Sequence, residues 1–299
     1  MKVLLTGATG SIGKELVPAL LGKGYALGLL VRDAQKVSVV FKNYNIQHVV
    51  VIDVNKDNWA KSIIDFDPSV VIHLASLITS KDDFDIIPGL IESNITFGAQ
   101  LLQSLKATRV SLFINTGTFA EYFYGDGQYD PSYLYSATKT AFHSILKYYQ
   151  QLIAFKLVNV IPYTVYGQFD SQPKIIDIIY NSFFSAQPVG MSGGMQTLDF
   201  IHIEDVVLFY CLLIERHLDI KLSWQNYHLG TGVGTTLRRI AEIVSAEIGL
   251  PENINWGALA YRPRDTMHSI APTAKMLHDF NWKPAIDIIS GVKKYISKK

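Results

Sequence analysis

Through the first half of the chain, short apolar runs alternate with segments in which apolar residues recur every three to four positions. The runs are KVLLTG, YALGLLVR, HVVVIDV, SVVIHLAS and VSLFINTG, and KELVPALLGK is the first of the helical segments. Strands with little polar alternation are buried on both faces, and helix-length connections between them imply parallel pairing with right-handed crossovers. The pattern predicts an α/β fold built on a doubly wound parallel sheet. A further strand is expected at residues 156–162, KLVNVIP, after the long helical pattern that follows Tyr135.

Beyond VYGQFD the alternation breaks down. The turn-rich AQPVGMSGGMQ precedes TLDFIHIEDVVLFYCLLIE, which reads as strand and then helix, and the helix LRRIAEIVSAEIG and a short terminal helix follow. The expected organisation is a dinucleotide-binding domain over 1–166, rejoined by 198–227, with 167–197 and 228–299 forming a smaller substrate-binding lobe at the carboxyl edge of the sheet, where α/β proteins bind ligands. The chain shows no internal repeat, low-complexity tract or flexible linker.

Charge narrows the partners. With 27 basic and 26 acidic side chains among 299 residues, the formal charge is +1, too little to recruit nucleic acid or an anionic membrane. The sole cysteine, Cys211, lies in the apolar VVLFYCLLI and reads as core. Glycine arrives too early in MKVLLTGATG for a signal peptide, and no apolar run approaches the ~20 residues of a membrane span. A soluble, cytoplasmic protein with a small, specific ligand is expected.

The stretch VLLTGATGSIGKEL places Gly7, Gly10 and Gly13 after a strand and before a helix. Gly7 permits the tight turn, Gly10 lets backbone approach a pyrophosphate at the helix N-terminus, and Gly13 allows close helix-to-sheet packing. This is a Rossmann dinucleotide loop, whose cofactor-facing set includes Thr9, Ser11 and Ile12. The second strand ends LLVRD, so Arg32 stands where an acidic residue would meet an unphosphorylated ribose. A guanidinium there suits a 2′-phosphate and favours NADP(H), with NAD(H) possible if Asp33 turns to the ribose instead. Asp53 and Val54 are expected at the adenine, and Leu74, Ala75 and Ser76 beside the ribose and nicotinamide.

Taken together, TGATGSIG, VIHLAS, YLYSATK, TLDFIHIEDV and YRPRD…FNWKP resemble the extended short-chain dehydrogenase/reductases, the family of nucleotide-sugar epimerases, dehydratases and 4-ketoreductases. The resemblance covers essentially the whole chain. Its C-terminal third, YHLGTGVGTTL, WGALAYRPRD and FNWKP, looks most like the CDP-abequose and CDP-paratose synthase type. What this implies is an NADPH-dependent reduction of the 4-keto group of a nucleotide-linked 4-keto-6-deoxyhexose or 3,6-dideoxyhexose, in deoxysugar biosynthesis of the O-antigen kind. An NAD-dependent nucleotide-sugar epimerase is the alternative, and a non-catalytic NADP(H)-binding regulator a more distant one.

Residues four apart share a helix face, so Lys139 can hold its ammonium near the Tyr135 phenol and lower a pKa of about 10. Tyr135 then exchanges a proton with a sugar oxygen while the nicotinamide exchanges hydride. By position in the family motif, Thr116 is the hydroxyl that bonds the reacting oxygen, with Thr118 next to it. Gly117 and Thr118 occupy the positions where dehydratases of the family carry an Asp-Glu pair, which argues against a 4,6-dehydratase unless an acid comes from elsewhere. The resemblance adds Asn94 and Tyr163 to the cofactor set that includes Tyr135 and Lys139. It puts Arg262 at the substrate pyrophosphate, Asp265 at the acidic position after it, Asn159 and Tyr166 beside the sugar, and Lys174 near the nucleotide.

Two positions depart from the family pattern: Leu198 replaces an arginine before Asp199-Phe200, and Ile161 another before VYG. Fewer cations are thus expected on the phosphates. His73 and His202 read as structural, and the eight histidines show no metal-ligand spacing, so no metal is expected. Relatives often dimerise through the helix that begins near the tyrosine and the one before it, and AFHSILKYYQQLIAF is apolar enough for a homodimer, although the same stripe equally suits internal core.

Overall fold

A computed structural model describes residues 1–81, 83–123, 127–168, 173–221 and 223–299. Its elements begin with β1 (Lys2–Thr6), α1 (Ser11–Gly22), β2 (Ala26–Val31), α2 (Ala34–Val40), β3 (Val50–Asp53), α3 (Trp59–Phe66) and β4 (Val70–His73). There follow α4 (Ile86–Ile91), a π-helical turn Glu92–Thr96, α5 (Phe97–Ser104), β5 (Leu112–Thr116), a short turn Phe119–Glu121, α6 (Leu134–Ile153) and β6 (Lys156–Pro162). The remainder is β7 (Thr164–Tyr166), α7 (Ile175–Ser182), β8 (Val189–Met191), β9 (Thr197–His202), α8 (Ile203–Glu215), β10 (Trp224–Leu229), β11 (Gly234–Thr236), α9 (Leu237–Ile248), β12 (Ile254–Trp256), β13 (His268–Ser269), α10 (Ala274–Phe280) and α11 (Ile288–Ile296).

The chain divides into two units. The first comprises Met1–Glu121, Tyr133–Ile161 and Val207–Tyr227. Its seven-stranded sheet has the order β10-β6-β5-β4-β1-β2-β3, with β1 to β6 in parallel register. Strand order reverses between β1 and β4, the topological switch point at which such sheets bind ligands beyond their carboxyl ends. The runs read from sequence fail to alternate because both faces are covered: Leu4, Val71, Phe113 and Leu157 pack with Leu101, Leu102, Phe142 and Leu146 of α5 and α6, and Leu5, Ile72, Ile114 and Val158 on the other face are fully buried too.

The second unit comprises Tyr122–Ser132, Pro162–Val206 and His228–Lys299. In it β9 pairs in parallel with β7 and β13 and antiparallel with β11, and β8 pairs with β12. Ile176, Ile179, Phe200, Leu237, Ile240, Val244 and Val292 form its core. Asp199, fully buried in β9, accepts the N–H groups of Thr231 (2.8 Å), Gly232 (2.8 Å) and Ala271 (3.1 Å) and the Thr231 hydroxyl (2.7 Å), which fixes the TGVG loop.

The boundaries differ from those expected at 166 and 198. The chain leaves the first unit after Ile161 and re-enters it at Val207, and 122–132 also belong to the second unit. The cause is strand pairing: β7 and β9, contiguous in sequence with the large sheet's elements, pair with each other instead. Among the described residues no helix is long and apolar enough to cross a membrane.

The glycine loop is dictated by close approach. Gly7 has φ +70°, and a Cβ there would lie 2.7 Å from the backbone nitrogen of Ala75. A Cβ on Gly13 would lie 2.3 Å from the Gly7 carbonyl oxygen and 2.6 Å from that of Ala8, so α1 can start against the turn only without a side chain there. Gly13→Ala is expected to lower unfolding free energy by about 1–3 kcal/mol and to weaken dinucleotide binding, as thermal denaturation with and without dinucleotide will measure.

Candidate active site

The carboxyl ends of β1 and β4 are tied together by hydrogen bonds. The Thr6 hydroxyl meets Nδ1 of buried His73 at 2.9 Å and accepts the Ala75 N–H at 3.1 Å, which sets the course of Leu74, Ala75 and Ser76. Beside them Gly10, exposed at the cap of α1, brings no side chain onto the N-terminus of that helix, the end at which an anion is favoured. At the end of β2 the Arg32 side chain is exposed, while Asp33 accepts the Lys36 N–H at 3.0 Å and caps α2. Asp53 accepts the Asn55 N–H at 2.9 Å; it and Val54 are half-buried at the end of β3. These residues fit a dinucleotide with its pyrophosphate on α1, since only Cβ-free backbone approaches the loop so closely.

Helix α6 starts where Tyr133 is extended and the Ser136 hydroxyl accepts its N–H at 3.0 Å. Its inward face carries Tyr135, Lys139, Phe142 and Leu146, a helical stripe with the two chemical groups at its start. Tyr135 is 7% and Lys139 2% exposed. The Tyr135 phenol is hydrogen bonded by the side chains of Thr118 and Ser76. Asn94, set by the π-helical turn, braces this arrangement: its oxygen accepts Ser76 Oγ at 3.0 Å and the Leu77 N–H at 2.7 Å, and its nitrogen donates to the Leu77 carbonyl (3.1 Å) and Thr138 Oγ1 (2.9 Å). Its amide is spent on protein partners, so Asn94 positions Ser76 and α6 rather than reaching outward.

The electrostatics differ from the sequence expectation that Lys139 lowers the Tyr135 pKa. Burial, and then the negative charge of Glu121, push the phenol above its ordinary value, against the opposing Thr118 and Ser76 bonds. Burial likewise pulls Lys139 down to about 8, opposed by Glu121. The phenol is therefore held protonated at neutral pH.

The hydroxyl beside Tyr135 also differs from the expected one. Thr116, at the end of β5, meets the hydroxyl of fully buried Tyr210 in α8 at 2.6 Å. The strand ends there, the Gly117 N–H donates to the Val160 carbonyl at 2.7 Å, and the Phe119–Glu121 turn brings Thr118 to Tyr135. Of the two threonines, Thr118 is thus the one beside Tyr135, and Thr116 is turned to Tyr210.

Asn159 is not at a pocket surface either. It is fully buried opposite Asn115 in the β5–β6 register and accepts that residue's amide at 2.8 Å. In the second unit Tyr166 is 3% exposed, with its hydroxyl 3.5 Å from the Asp287 carbonyl and its ring 5.3 Å from that of His202, so it is a packing residue. Tyr163, also buried there, meets Nδ1 of His228 at 3.1 Å. Lys174 caps α7, its N–H donating to Asp177 at 2.9 Å. Arg262 is exposed, and Asp265 is half-buried and accepts from Gln196 at 3.3 Å.

One buried group escaped the sequence reading. Glu121 is fully buried, and burial pushes its carboxyl up to about 7 against the opposing Thr118 N–H, Lys139 charge and Thr140 hydroxyl. The signal was present as a lone acid in TFAEY, three residues after Thr118.

Comparison with known proteins places this geometry. The family described as NAD dependent epimerase/dehydratase family matches residues 3–224. A CDP-abequose synthase of Salmonella muenchen is 27% identical over 303 residues, covering 100% of this chain and 98% of its own. A UDP-glucose 4-epimerase of Mycolicibacterium smegmatis is 23% identical, covering 99% of this chain and 97% of its own. The solved structure of a UDP-glucuronic acid 4-epimerase Y149F mutant from Bacillus cereus, in complex with UDP-4-deoxy-4-fluoro-glucuronic acid and NAD, superposes with a TM-score of 0.87 at 22% identity, covering 100% of this chain and 99% of that one. The chain belongs to the NAD dependent epimerase/dehydratase family.

Proposed function

We propose that the protein reduces the 4-keto group of a nucleotide-linked 4-keto-6-deoxyhexose or 3,6-dideoxyhexose, using NADPH. The observation that carries this reading is the end of β2, where Arg32 is exposed and Asp33 is committed to capping α2. That pair offers a guanidinium to a 2′-phosphate, while one oxygen of the neighbouring carboxylate is engaged in the helix cap. A cofactor phosphorylated there is the one that cells keep reduced, which suits net reduction. Similarity to CDP-abequose synthases supports the substrate class.

A nicotinamide dinucleotide, which the glycine loop and the ends of β2 and β3 would hold, would supply the hydride. The chain's own residues handle the proton. Tyr135, kept protonated by burial, donates it to the ketone oxygen, which becomes the new hydroxyl. Thr118 and Ser76 orient the phenol, and Lys139, one turn along the same buried helix face, is assigned to the charge that develops when the proton leaves. Arg262 and Lys174 are proposed at the substrate's phosphates and Asp265 beside them.

Similarity to 4-epimerases favours a second reading, oxidation and re-reduction at C4 with a retained cofactor. The test is incubation with NADPH and CDP-, dTDP-, GDP- and UDP-4-keto-6-deoxy sugars. Stoichiometric NADPH loss with at least one is expected, whereas C4 interconversion without net loss would replace the reductase reading by the epimerase one.

Tyr135→Phe is expected to lower kcat by about 10²–10⁴-fold, and Thr118→Val by about 10²-fold, each with cofactor affinity nearly unchanged. Thr116→Val should instead leave turnover near wild type while costing about 1–3 kcal/mol of stability, because it strands the buried Tyr210 hydroxyl. Steady-state kinetics beside thermal denaturation separates the two threonines.

A homodimer through α5 and α6 is also proposed, because Tyr148 and Leu152 of α6 are 61% and 49% exposed. Sedimentation velocity should give twice the chain mass, and Tyr148→Glu with Leu152→Glu should return it to one; a monomeric wild type refutes the pairing.

A further inference from the structure

Glu121 is an acid that this mechanism leaves unused. Oε1 accepts the Thr118 N–H at 2.9 Å; Oε2 accepts the Thr140 hydroxyl at 3.0 Å and lies 3.4 Å from His143 Nε2. Gly117 makes room for it, because a Cβ there would come within 2.8 Å of Oε1 and 3.3 Å of Asn159 Oδ1. The groups around the carboxyl are therefore Thr118 from the loop after β5, Asn159 from β6, and Tyr135, Lys139, Thr140 and His143 from α6. Burial, with Lys139's charge, pulls His143 down to about 4, so it is neutral at physiological pH. Lys139 is left as the cation that answers Glu121.

We propose that Glu121 is a positioning residue of the Tyr135–Lys139 couple: its carboxylate, held against α6 at Thr140 and His143, one residue and one helical turn beyond Lys139, is the counter-charge of that buried side chain, and its oxygens clamp the turn that carries Thr118. A buried ammonium and a buried carboxylate are each costly alone, and each makes the other's charge tolerable. Thr118 and Thr140 anchor the carboxylate from both sides, so the charge is fixed relative to α6. The acid does not reach solvent, which distinguishes it from an acid that exchanges protons with water or a substrate. The catalytic consequence rests on the reading of Tyr135 as proton donor, but the coupling of Glu121 to Lys139 does not.

The experiment follows ¹³C-labelled glutamate Cδ and lysine Cε signals across pH in the wild type and in Glu121→Gln, with Lys139 assigned through Lys139→Arg. One glutamate is expected to titrate near pH 7, to vanish in Glu121→Gln, and to be accompanied there by a fall of about one unit in the Lys139 midpoint. Thr140→Val keeps the acid and removes one donor, so its glutamate midpoint should rise. It decides the matter should the first variant not fold. In turnover, Glu121→Gln should lose about tenfold in kcat with sugar KM within about twofold, and its pH profile should lack the wild-type inflection near 7. An unchanged Lys139 midpoint in Glu121→Gln, or no glutamate midpoint that moves in Thr140→Val, overturns the proposal. A wild type that reduces no sugar overturns the functional reading while the titrations still judge the coupling.

Discussion

An ammonium that is 2% exposed inside an α/β unit is the constraint around which the rest of the site is arranged. Lys139 cannot keep its charge there without a compensating group, and an isolated buried cation would titrate away. The compensation is assembled locally. The strand β5 stops at Thr116, a short turn folds Glu121 back under Gly117, and the absence of a Cβ on that glycine leaves the space for the carboxylate. The same turn delivers Thr118 to Tyr135. One local chain reversal thus supplies both the counter-charge and the hydroxyl.

The opposite half of the site is built by proximity of backbone rather than by charge. Gly7 and Gly13 let β1, the turn and α1 pack within distances that no side chain would tolerate. Thr6 and His73 lock the neighbouring strand ends, and Asn94 carries that order across to Ser76 and to α6 through Thr138. The π-helical turn is the local irregularity that aims Asn94 inward, as such turns often do at functional sites. The tyrosine is therefore oriented from two directions, by Ser76 after β4 and by Thr118 after β5.

Much of this was legible in the sequence. The continuous apolar runs gave six parallel strands, the last matching residues 156–162 end to end, because burial on both faces removes polar alternation. The glycine spacing located the loop, and the four-residue step located Tyr135 and Lys139 on one helix face, because both are local geometric periods. Less legible was strand partnership in the second half, where β7 and β9 are short and pair with each other rather than with the large sheet. Asn159 and Tyr166 looked like pocket residues because nothing local distinguishes a polar or aromatic side chain facing a core from one facing a ligand.

The sequence by itself determined the sheet, the glycine turn and the placement of the tyrosine and lysine on one helix face, since each follows from short-range spacing and steric need. Only the tertiary structure decided which threonine meets the tyrosine, that burial holds the tyrosine's proton rather than loosening it, and that an acid is buried against the same helix at Thr140 and His143. Those depend on how far each group is removed from water and on which side of a strand end the chain turns, and neither quantity is a property of residues near one another in sequence.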